Sequence, residues 1–336
     1  MDSQVRLRDQ LDRAISARAD LLDSRREGAL RLFNGFLEGC PELVIDLYAR
    51  TAIIFSYANQ PEVSLSNVQS ASEALTSSLP WIQTVLLKNS FGRDDQARRG
   101  QIILGDSIDR KVREGGVWYT LDLVMNSDAS LYLDTRNLRL WAMKHMNGKT
   151  VLNTFAYTCS LGVAAYAGGA SRVIHLDRNK KYLNIGKDSY TLNGFPIARK
   201  DFIAADFFTH TSRLRKEGTT FDCIFLDPPF FSQTSQGRVD LNIQIDRLIN
   251  KVRPLVNEGG ALVIVNNALF VSGQSFLQSL ESLSRDGYIS IESMIPVPPD
   301  FTGFPETRRG QPPTDPAPFN HSTKICVLRV RRKTSS

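Results

Sequence analysis

The fold is decided by the stretch at residues 221–230, which reads FDCIFLDPPF. Its first six residues form a short, mostly apolar run that is typical of a buried strand. Asp227 and the two prolines after it end this strand, because proline lacks the amide hydrogen needed for pairing and fixes φ. Ligands of parallel α/β sheets bind at this carboxyl edge. The stretch therefore predicts a site that presents a carboxylate and the rings of Phe230 and Phe231, with an ordinary strand-ending turn as the alternative.

Strand and helix patterns alternate from residue 131 onward. They predict strands at residues 151–155, 173–177, 198–204, 221–226, 261–265, 288–294 and 324–330, and helices at 136–147, 160–167, 180–192, 209–216, 240–256 and 274–286. This alternation indicates βαβ units and a mostly parallel α/β sheet. The last two strands are joined by the proline-rich loop at 296–318 without a helix, so we expect an antiparallel hairpin at one edge. That loop is either a lid or a plain connection.

The first third of the chain has a different pattern. It predicts helices at residues 4–37 and 64–80, and strands at 43–48, 52–57, 84–87, 101–104 and 118–124. This mixture is typical of a small α+β domain. We therefore predict an N-terminal domain at 1–120 and a larger domain at 121–336. The smaller domain either recognises the substrate or only supports the sheet.

Composition and charge narrow the class of protein. Of the 336 residues, 42% are hydrophobic and 23% are charged, as in soluble globular proteins. No apolar run approaches the ~20 residues that span a bilayer. The net charge is +6, and residues 301–336 contribute +5 of it through seven Lys/Arg and two Asp/Glu. A basic terminus can contact phosphates, but the rest of the chain is nearly neutral.

The four cysteines are scattered and have neither metal nor disulfide spacing. The N-terminus lacks the apolar core of a signal peptide. We therefore expect a cytoplasmic protein without a bound metal and without a membrane partner. The sequence does not decide the oligomeric state, and a homodimer stays open.

Three acidic residues follow the ends of successive predicted strands: Asp177, Asp206 and Asp227. A doubly wound sheet brings them to one edge, where the acidic residue after the second strand bonds ribose hydroxyls. The first turn, at residues 153–162, has no glycine before Gly162, so it fits neither the dehydrogenase Gly-x-Gly-x-x-Gly motif nor a kinase-type phosphate loop. A ligand with ribose and adenine but no phosphate fits better. S-adenosylmethionine is such a ligand.

The order and spacing of these motifs resemble the class I S-adenosylmethionine-dependent methyltransferases that modify large-subunit ribosomal RNA. The matching segments are residues 131–136, 151–158, 177, 193–194, 205–207, 227–230 and 266–267. The resemblance covers residues 125–295 best and extends to 25–48. It implies a Rossmann-like class I methyltransferase fold, S-adenosyl-L-methionine as the cofactor and RNA as the substrate.

The resemblance also implies roles for individual residues. On the cofactor side these are Asp134 and Arg136, which close the site; Asn153, Phe155, Tyr157 and Thr158 at the methionine end; Asp177 at the ribose; and Tyr132, Asp206, Phe207 and Asp227 as further cofactor contacts. Among them, Asp206 is expected to hold the adenine amino group. On the substrate side they are the base-holding Asp227, Pro228, Pro229 and Phe230, together with Asn266 and Asn267. The residues themselves add Phe231 at the same turn and His321 before the last strand, which would position the substrate or transfer a proton. His321 is otherwise a plain loop or core histidine.

Two departures from the family pattern bear on the chemistry. Cys159 and Ser160 stand where the family usually has glycines, and we expect them to narrow the space beside the methionine carboxylate. The strand that ends in Asn266 and Asn267 lacks the cysteine that cytosine-C5 enzymes use as a nucleophile. The pair resembles the branch that methylates guanine N7 instead. Nitrogen atoms attack the methyl group directly, so positioning is the main requirement.

The sequence thus predicts direct methyl transfer to a nucleobase nitrogen, guanine, in ribosomal RNA. The nearly neutral body and the unusual first turn leave open methylation of a small molecule or another non-RNA acceptor. A non-catalytic RNA-binding or assembly factor with the same fold is the third alternative.

Overall fold

The computed structural model describes residues 3–92, 95–229, 231–234 and 237–332. The chain divides into two compact units. The first comprises Met1–Asp134 and Pro298–Pro312, and the second comprises Thr135–Val297 and Pro313–Ser336. This division falls after residue 134 rather than after residue 120, and it assigns part of the proline-rich loop to the first unit.

The first unit is built around a five-stranded sheet. The strands of the whole unit are β1 (Ala29–Asn34), β2 (Leu43–Tyr48), β3 (Thr51–Ser56), β4 (Thr84–Asn89), β5 (Gln101–Leu104), β6 (Lys111–Glu114) and β7 (Val117–Thr120). Its helices are α1 (Ser3–Ala17), α2 (Gly35–Glu38), α3 (Pro61–Ser78) and α4 (Asp95–Arg99), with helical turns at Ala19–Leu21 and Pro299–Thr302. The main sheet has the order β1-β2-β3-β4-β5, and β6 and β7 form a separate hairpin. Only β3 and β4 are parallel in the main sheet, as α3 connects them.

The predicted helix at residues 4–37 is wrong in its second half, because residues 29–34 form β1. Leu30 and Leu32 are both buried in the core of this unit. Apolar residues two apart fit a strand, whereas the surrounding leucines had suggested a helical period. Pairing with β2 decides between the two periods.

The segment at residues 298–312 is held in the first unit by buried side chains. Arg18 is fully buried and donates two hydrogen bonds of 3.0 Å to the carboxylate of Glu38. It also donates to the carbonyl oxygen of Asp300 at 2.7 Å. The amide of Asn34 donates to the carbonyl oxygen of Phe301 at 2.7 Å. These contacts favour a fixed connection over a lid.

The second unit contains nine strands and six helices among the described residues. Its strands are β8 (Thr150–Thr154), β9 (Arg172–Asp177), β10 (Phe202–Ala204), β11 (Phe221–Leu226), β12 (Phe231–Thr234), β13 (Gly237–Asp240), β14 (Val256–Asn266), β15 (Ile289–Met294) and β16 (Lys324–Val330). Its helices are α5 (Arg136–His145), α6 (Ser160–Ala167), α7 (Lys180–Leu192), α8 (Phe207–Lys216), α9 (Leu241–Val252) and α10 (Gly273–Ser284), with further helical turns at Arg199–Asp201 and Arg253–Leu255.

Seven of these strands form one sheet in the order β10-β9-β8-β11-β14-β16-β15. The strands from β10 to β14 are parallel, and β16 runs antiparallel to both β14 and β15. This arrangement confirms the predicted mostly parallel sheet with an antiparallel hairpin at one edge. In this hairpin β16 lies between β14 and β15, so β15 forms the edge of the sheet.

Helices cover both faces of this sheet, because alternate residues of each strand point to opposite sides. In β11, Ile224 and Leu226 pack with residues of α8, α9 and α10. Cys223 and Phe225 pack with residues of α5 and α6. Burial on both faces explains why the parallel strands read as continuous apolar runs.

The predicted bounds of α6, α7 and β16 agree with the structure to the residue. The hairpin of β12 and β13 was not predicted. The predicted strand at 118–124 ends at Thr120, and the one at 198–204 begins at Phe202.

Candidate active site

The carboxyl edge of the seven-stranded sheet brings together many of the predicted site residues. The chain runs outward from β8 through β9 to β10, then returns to β11 on the other side of β8. Ligands of such sheets bind where the strand order reverses. The strand ends and loops at this edge carry Phe155, Tyr157, Asp177, Asp206, Asp227, Asn266 and Asn267.

The turn after β8 has an unusual backbone conformation. Phe155, Tyr157 and Cys159 adopt φ values of 52°, 48° and 66°, in the left-handed region that favours glycine. The backbone N–H of Tyr157 donates to the carboxylate of Asp177 at 2.8 Å, which helps to hold this conformation. Backbone strain of this kind concentrates at ligand sites. The turn thus has the character of a binding loop despite its lack of early glycines.

Cys159 packs against Gly186 of helix α7. Its side chain is fully buried, and its Sγ lies only 2.4 Å from the place where a Cβ on Gly186 would be. Helix α7 approaches the turn this closely because Gly186 has no side chain. Cys159 therefore fills the gap beside Gly186, and its expected effect on the space beside the methionine carboxylate stays a prediction.

Asp177 ends β9 and is half-buried. One carboxylate oxygen accepts the bond from Tyr157, and the other accepts from the backbone N–H of Asn179 at 2.8 Å. Burial raises the pKa of Asp177, and these backbone donors partly oppose the shift. A carboxylate has about four acceptor positions, so it can still bind hydroxyl groups. This geometry fits the predicted ribose contact.

Asp206 caps the N-terminus of α8. Its Oδ1 accepts from both the backbone N–H and the hydroxyl of Thr209 at 3.0 Å. The next residue, Phe207, is buried and stacks on Phe155 with ring centroids 4.6 Å apart. This stacking brings the segments that follow β8 and β10 into contact and forms an apolar surface. The predicted adenine contact of Asp206 stays a prediction.

A buried polar layer lies beneath the turn after β8. The amide nitrogen of Asn153 lies 3.5 Å from Nδ1 of His175, and Nε2 of His175 lies 3.0 Å from the hydroxyl of Tyr190. Burial lowers the pKa of His175 to about 3, so the ring is neutral at physiological pH. Asn153 and Thr158 are themselves buried. Their predicted contact with the methionine end stays a prediction.

On the acceptor side, Asp227 follows β11 directly and is half-buried. Pro228 is buried and Pro229 is exposed. Phe230 lies outside the described residues. Phe231 begins β12 and pairs with Asp240 in the hairpin.

Two buried side-chain atoms at the end of β14, Nδ2 of Asn266 and Oδ1 of Asn267, have no hydrogen-bond partner in the part of the chain that the structure describes. The orientation of Asn266 is fixed, because its Oδ1 accepts from the backbone N–H of Ala268 at 2.9 Å. Buried polar atoms are nearly always bonded, and one without a partner costs about 1–3 kcal/mol. An unbonded donor on Asn266 and an unbonded acceptor on Asn267 thus lie at the end of β14, the strand next to the one that leads to Asp227.

Lys324 is a feature that the sequence analysis missed. It is fully buried, pairs with Asn266 across β14 and β16, and donates to the carbonyl oxygens of Ala268 at 3.0 Å and of Ser322. Burial lowers the pKa of Lys324 to about 8. The available signal was a lysine at the start of a strand whose next four residues are apolar. Nearby, His321 is half-buried and its Nδ1 accepts from the backbone N–H of Thr323 at 3.0 Å.

Asp134 and Arg136, predicted to close the site, and the predicted cofactor contact Tyr132 belong to different units. Tyr132 and Asp134 are part of the first unit, and Arg136 begins α5 in the second. Tyr132 is 47% exposed, and its hydroxyl donates to Asp128 at 2.8 Å. Their predicted role stays a prediction.

All four cysteines are free, and none is a ready nucleophile. Burial is the main cause that raises the pKa of Cys40 and Cys326 to about 12, and it also raises the pKa of Cys159 and Cys223. Within residues 3–92, 95–229, 231–234 and 237–332, no cluster of three metal-ligating side chains occurs. In the same ranges, no helix has the length and apolar character needed to cross a bilayer.

The model of the family described as S-adenosylmethionine-dependent methyltransferase matches residues 40–305. The chain belongs to this family. The protein is therefore an enzyme that uses S-adenosylmethionine, which confirms the predicted cofactor and the predicted class of enzyme.

Curated relatives include ribosomal RNA large subunit methyltransferase I of Vibrio cholerae, which is 30% identical over 264 residues that cover 76% of this chain and 65% of the relative. Ribosomal RNA large subunit methyltransferase K/L of a Psychrobacter species is 36% identical over 160 residues, which cover 46% of this chain and 20% of the relative. The chain therefore spans less than two thirds of the length of both relatives.

Solved structures share the fold. One crystal structure complexed with SAH has a TM-score of 0.84 and 20% identity, and the match covers 98% of this chain and 82% of the other. A SAM-dependent methyltransferase from Agrobacterium tumefaciens has a TM-score of 0.62 and 17% identity, with 87% and 88% covered. These likenesses confirm the predicted Rossmann-like class I methyltransferase fold.

The residues at the sheet edge fit S-adenosylmethionine. Asp177 offers a half-buried carboxylate for a ribose, and the stacked rings of Phe155 and Phe207 form an apolar wall next to it. In the turn after β8, the side chain of Cys159 points inward against Gly186 and so does not lie at the edge. We infer that these residues hold the cofactor.

Proposed function

We propose that the protein transfers a methyl group from S-adenosylmethionine to a guanine nitrogen of large-subunit ribosomal RNA. The substrate class follows the curated relatives, which are named as ribosomal RNA large subunit methyltransferases. The observation that carries the proposal is the pair of unpartnered amide atoms, Asn266 Nδ2 and Asn267 Oδ1, at the end of β14.

A hydrogen-bond donor beside an acceptor complements a base edge that has both kinds of group. Guanine has an acceptor at O6 and a donor at N1, so the two amides can bind it together. The resemblance of Asn266-Asn267 to the guanine-N7 branch supports N7 as the target atom. A base inside a duplex has to be flipped out to reach such a site.

The cofactor supplies an electrophilic methyl group on a sulfonium. The protein's own task is to position the base, because N7 has a lone pair that attacks without a covalent adduct. Pro228 and Pro229 stiffen the loop after β11. The bond from Ala268 fixes Asn266 so that its Nδ2 can donate to O6. The raised pKa values of Cys159, Cys223 and Cys326 disfavour a thiolate nucleophile, as cytosine-C5 chemistry needs.

Incubation with labelled S-adenosylmethionine tests the proposal. The acceptors are large-subunit ribosomal RNA from cells that lack the protein and a metabolite extract from the same cells. We expect label in the RNA, and 7-methylguanosine in its nucleoside digest by mass spectrometry. Label confined to the metabolite extract refutes the RNA substrate, and 5-methylcytidine refutes the direct nitrogen transfer. A variant in which Asp177 is replaced by alanine serves as the inactive control.

A further inference from the structure

The turn between β14 and α10 carries an exposed apolar tip next to the unpartnered amides. Leu269 is 51% exposed and Phe270 is 71% exposed, and they follow Asn266 and Asn267 by three residues each. Single exposed apolar residues are normal on protein surfaces. An adjacent pair with an aromatic ring at a ligand edge is a different case, because it places a large apolar surface beside the site.

The base of this turn is rigidly anchored. Ala268 is fully buried, its carbonyl oxygen accepts from Lys324 at 3.0 Å, and it also accepts from the backbone N–H of Val271 at 3.3 Å. Ser272 caps the following helix by accepting from the backbone N–H of Ser275 at 3.0 Å. Both ends of the tip are therefore held in place. A fixed ring loses little conformational freedom when a flat partner stacks on it.

The composition of the turn selects its partner. Residues 266–272 read NNALFVS and contain no charged side chain, so the turn is unsuited to phosphate groups. An aromatic ring without a charge binds the face of a nucleobase by stacking, largely independently of sequence. When a target base is unstacked in RNA, its neighbours also expose their faces.

We propose that Phe270, supported by Leu269, is a stacking platform for the nucleotide next to the target base. The inference rests on the proposed function, since it requires an RNA acceptor. Asn266 and Asn267 hold the target base by its edge, and the tip of the same turn holds the neighbour by its face. Phe270 is a substrate-binding residue outside the reacting atoms.

The test compares Phe270→Ala and Phe270→Trp in methyl transfer to large-subunit ribosomal RNA from cells that lack the protein. Stacking of this kind predicts that Phe270→Ala raises the KM for RNA at least about fivefold. We expect an unchanged kcat, because the platform binds ground state and transition state alike. Phe270→Trp keeps a flat aromatic face and restores the KM. The affinity for S-adenosylhomocysteine, measured by calorimetry, stays that of the wild type in both variants.

Leu192→Ala is the matched control, because Leu192 is a 39% exposed leucine that ends α7 at the opposite edge of the same sheet. We expect its KM to equal that of the wild type. An unchanged KM in Phe270→Ala overturns the platform while leaving the proposed function intact. A dimer that dissociates in Phe270→Ala with an unchanged KM assigns the tip to a second copy of the chain and also overturns it. A wild-type protein that methylates no RNA overturns both proposals.

Discussion

The two halves of the sheet edge differ in how far their polar groups are already bonded. At the ends of β9 and β10, Asp177 accepts two backbone N–H groups and Asp206 accepts two bonds from Thr209. At the end of β14, Asn266 Nδ2 and Asn267 Oδ1 have no partner. The polar groups of the first half are largely bonded within the protein, whereas these two atoms of the second half have no partner among the described residues.

This difference matches the two kinds of ligand. A methyltransferase meets the same cofactor in every turnover, so a prebuilt cradle loses little by being fixed in advance. The enzyme has to distinguish its methyl acceptor from many similar molecules. Buried polar groups without a partner in the protein provide this specificity, because only the correct acceptor forms hydrogen bonds with them. An acceptor that fails to bond them leaves a penalty of about 1–3 kcal/mol for each group. Under the proposed function, the edge thus combines a rigid cofactor half with a selective acceptor half.

The largest expected effect breaks the cofactor half. Asp177→Ala removes a carboxylate for ribose hydroxyls and releases the N–H of Tyr157. Two hydrogen bonds to a charged group are worth about 3–6 kcal/mol together, so the dissociation constant for S-adenosylmethionine should rise at least about 100-fold. Calorimetry measures it. Asp201→Ala is the control, because Asp201 pairs with Arg172 at the opposite edge. Wild-type affinity in Asp177→Ala would place the ribose elsewhere.

The next effect separates the two halves. Asn266→Asp keeps the acceptor for the N–H of Ala268 but replaces the unpartnered donor by an oxygen. We expect kcat/KM for RNA to fall about 10- to 100-fold, because one hydrogen bond is lost and the new carboxylate oxygen repels the acceptor atom of the base. The affinity for S-adenosylmethionine should not change. Asn184→Asp, on helix α7, controls for the added charge. Equal losses in RNA activity and cofactor affinity would show that the halves are not independent.

A smaller effect concerns the layer beneath the cofactor half. The pKa of His175 is about 3 in the folded protein and 6.5 ordinarily, so the unfolded chain binds a proton first as the pH falls. The free energy of unfolding therefore decreases on acidification, by about 2 kcal/mol between pH 7 and pH 5 from this residue. His175→Gln keeps a polar group toward Asn153 and Tyr190 but removes this dependence. Urea unfolding at both pH values measures the difference. Parallel losses in the two proteins would contradict the assignment.

The smallest effect is an expected absence of change. Cys223 lies in β11, the strand that leads to Asp227, and burial raises the pKa of its thiol. Direct transfer to nitrogen needs no thiolate, so Cys223→Ala should retain the wild-type kcat on RNA once its folding is confirmed by circular dichroism. A folded but inactive variant would point to a covalent intermediate.

Much of the fold could be predicted from local patterns. The apolar runs of β8, β9 and β11 and the helical periods between them identify the βαβ units, and α7 ends where Asn193-Gly194 ends its pattern. Residues 29–34 were mistaken for helix, because leucines in that region fit two periods and only pairing with β2 selects one. The segment at 298–312 gives no local sign that Arg18 and Asn34 bind it.

The site could be predicted in its outline but not in its bonding. Aspartates at strand ends, such as Asp177, can be identified from the sequence, because the apolar run before them marks the end of the strand. Three properties of the site depend on residues distant in the chain. They are the inward direction of the Cys159 side chain, the neutral state of His175 and the lack of a partner for Nδ2 of Asn266 among the described residues. Burial creates each of these properties, and burial is a result of tertiary packing.

Cys159 and Gly186 also limit how this sequence can diverge. A Cβ on Gly186 would lie 2.6 Å from the Cβ of Cys159, so the two positions share one side-chain volume. Gly186→Ala alone should fail to pack, whereas the pair Cys159→Gly and Gly186→Ala exchanges the volume between the turn and the helix. Glycine at position 159 also suits the left-handed backbone found there. We therefore expect these two positions to vary together among homologous chains, with glycine at one of them whenever the other has a side chain.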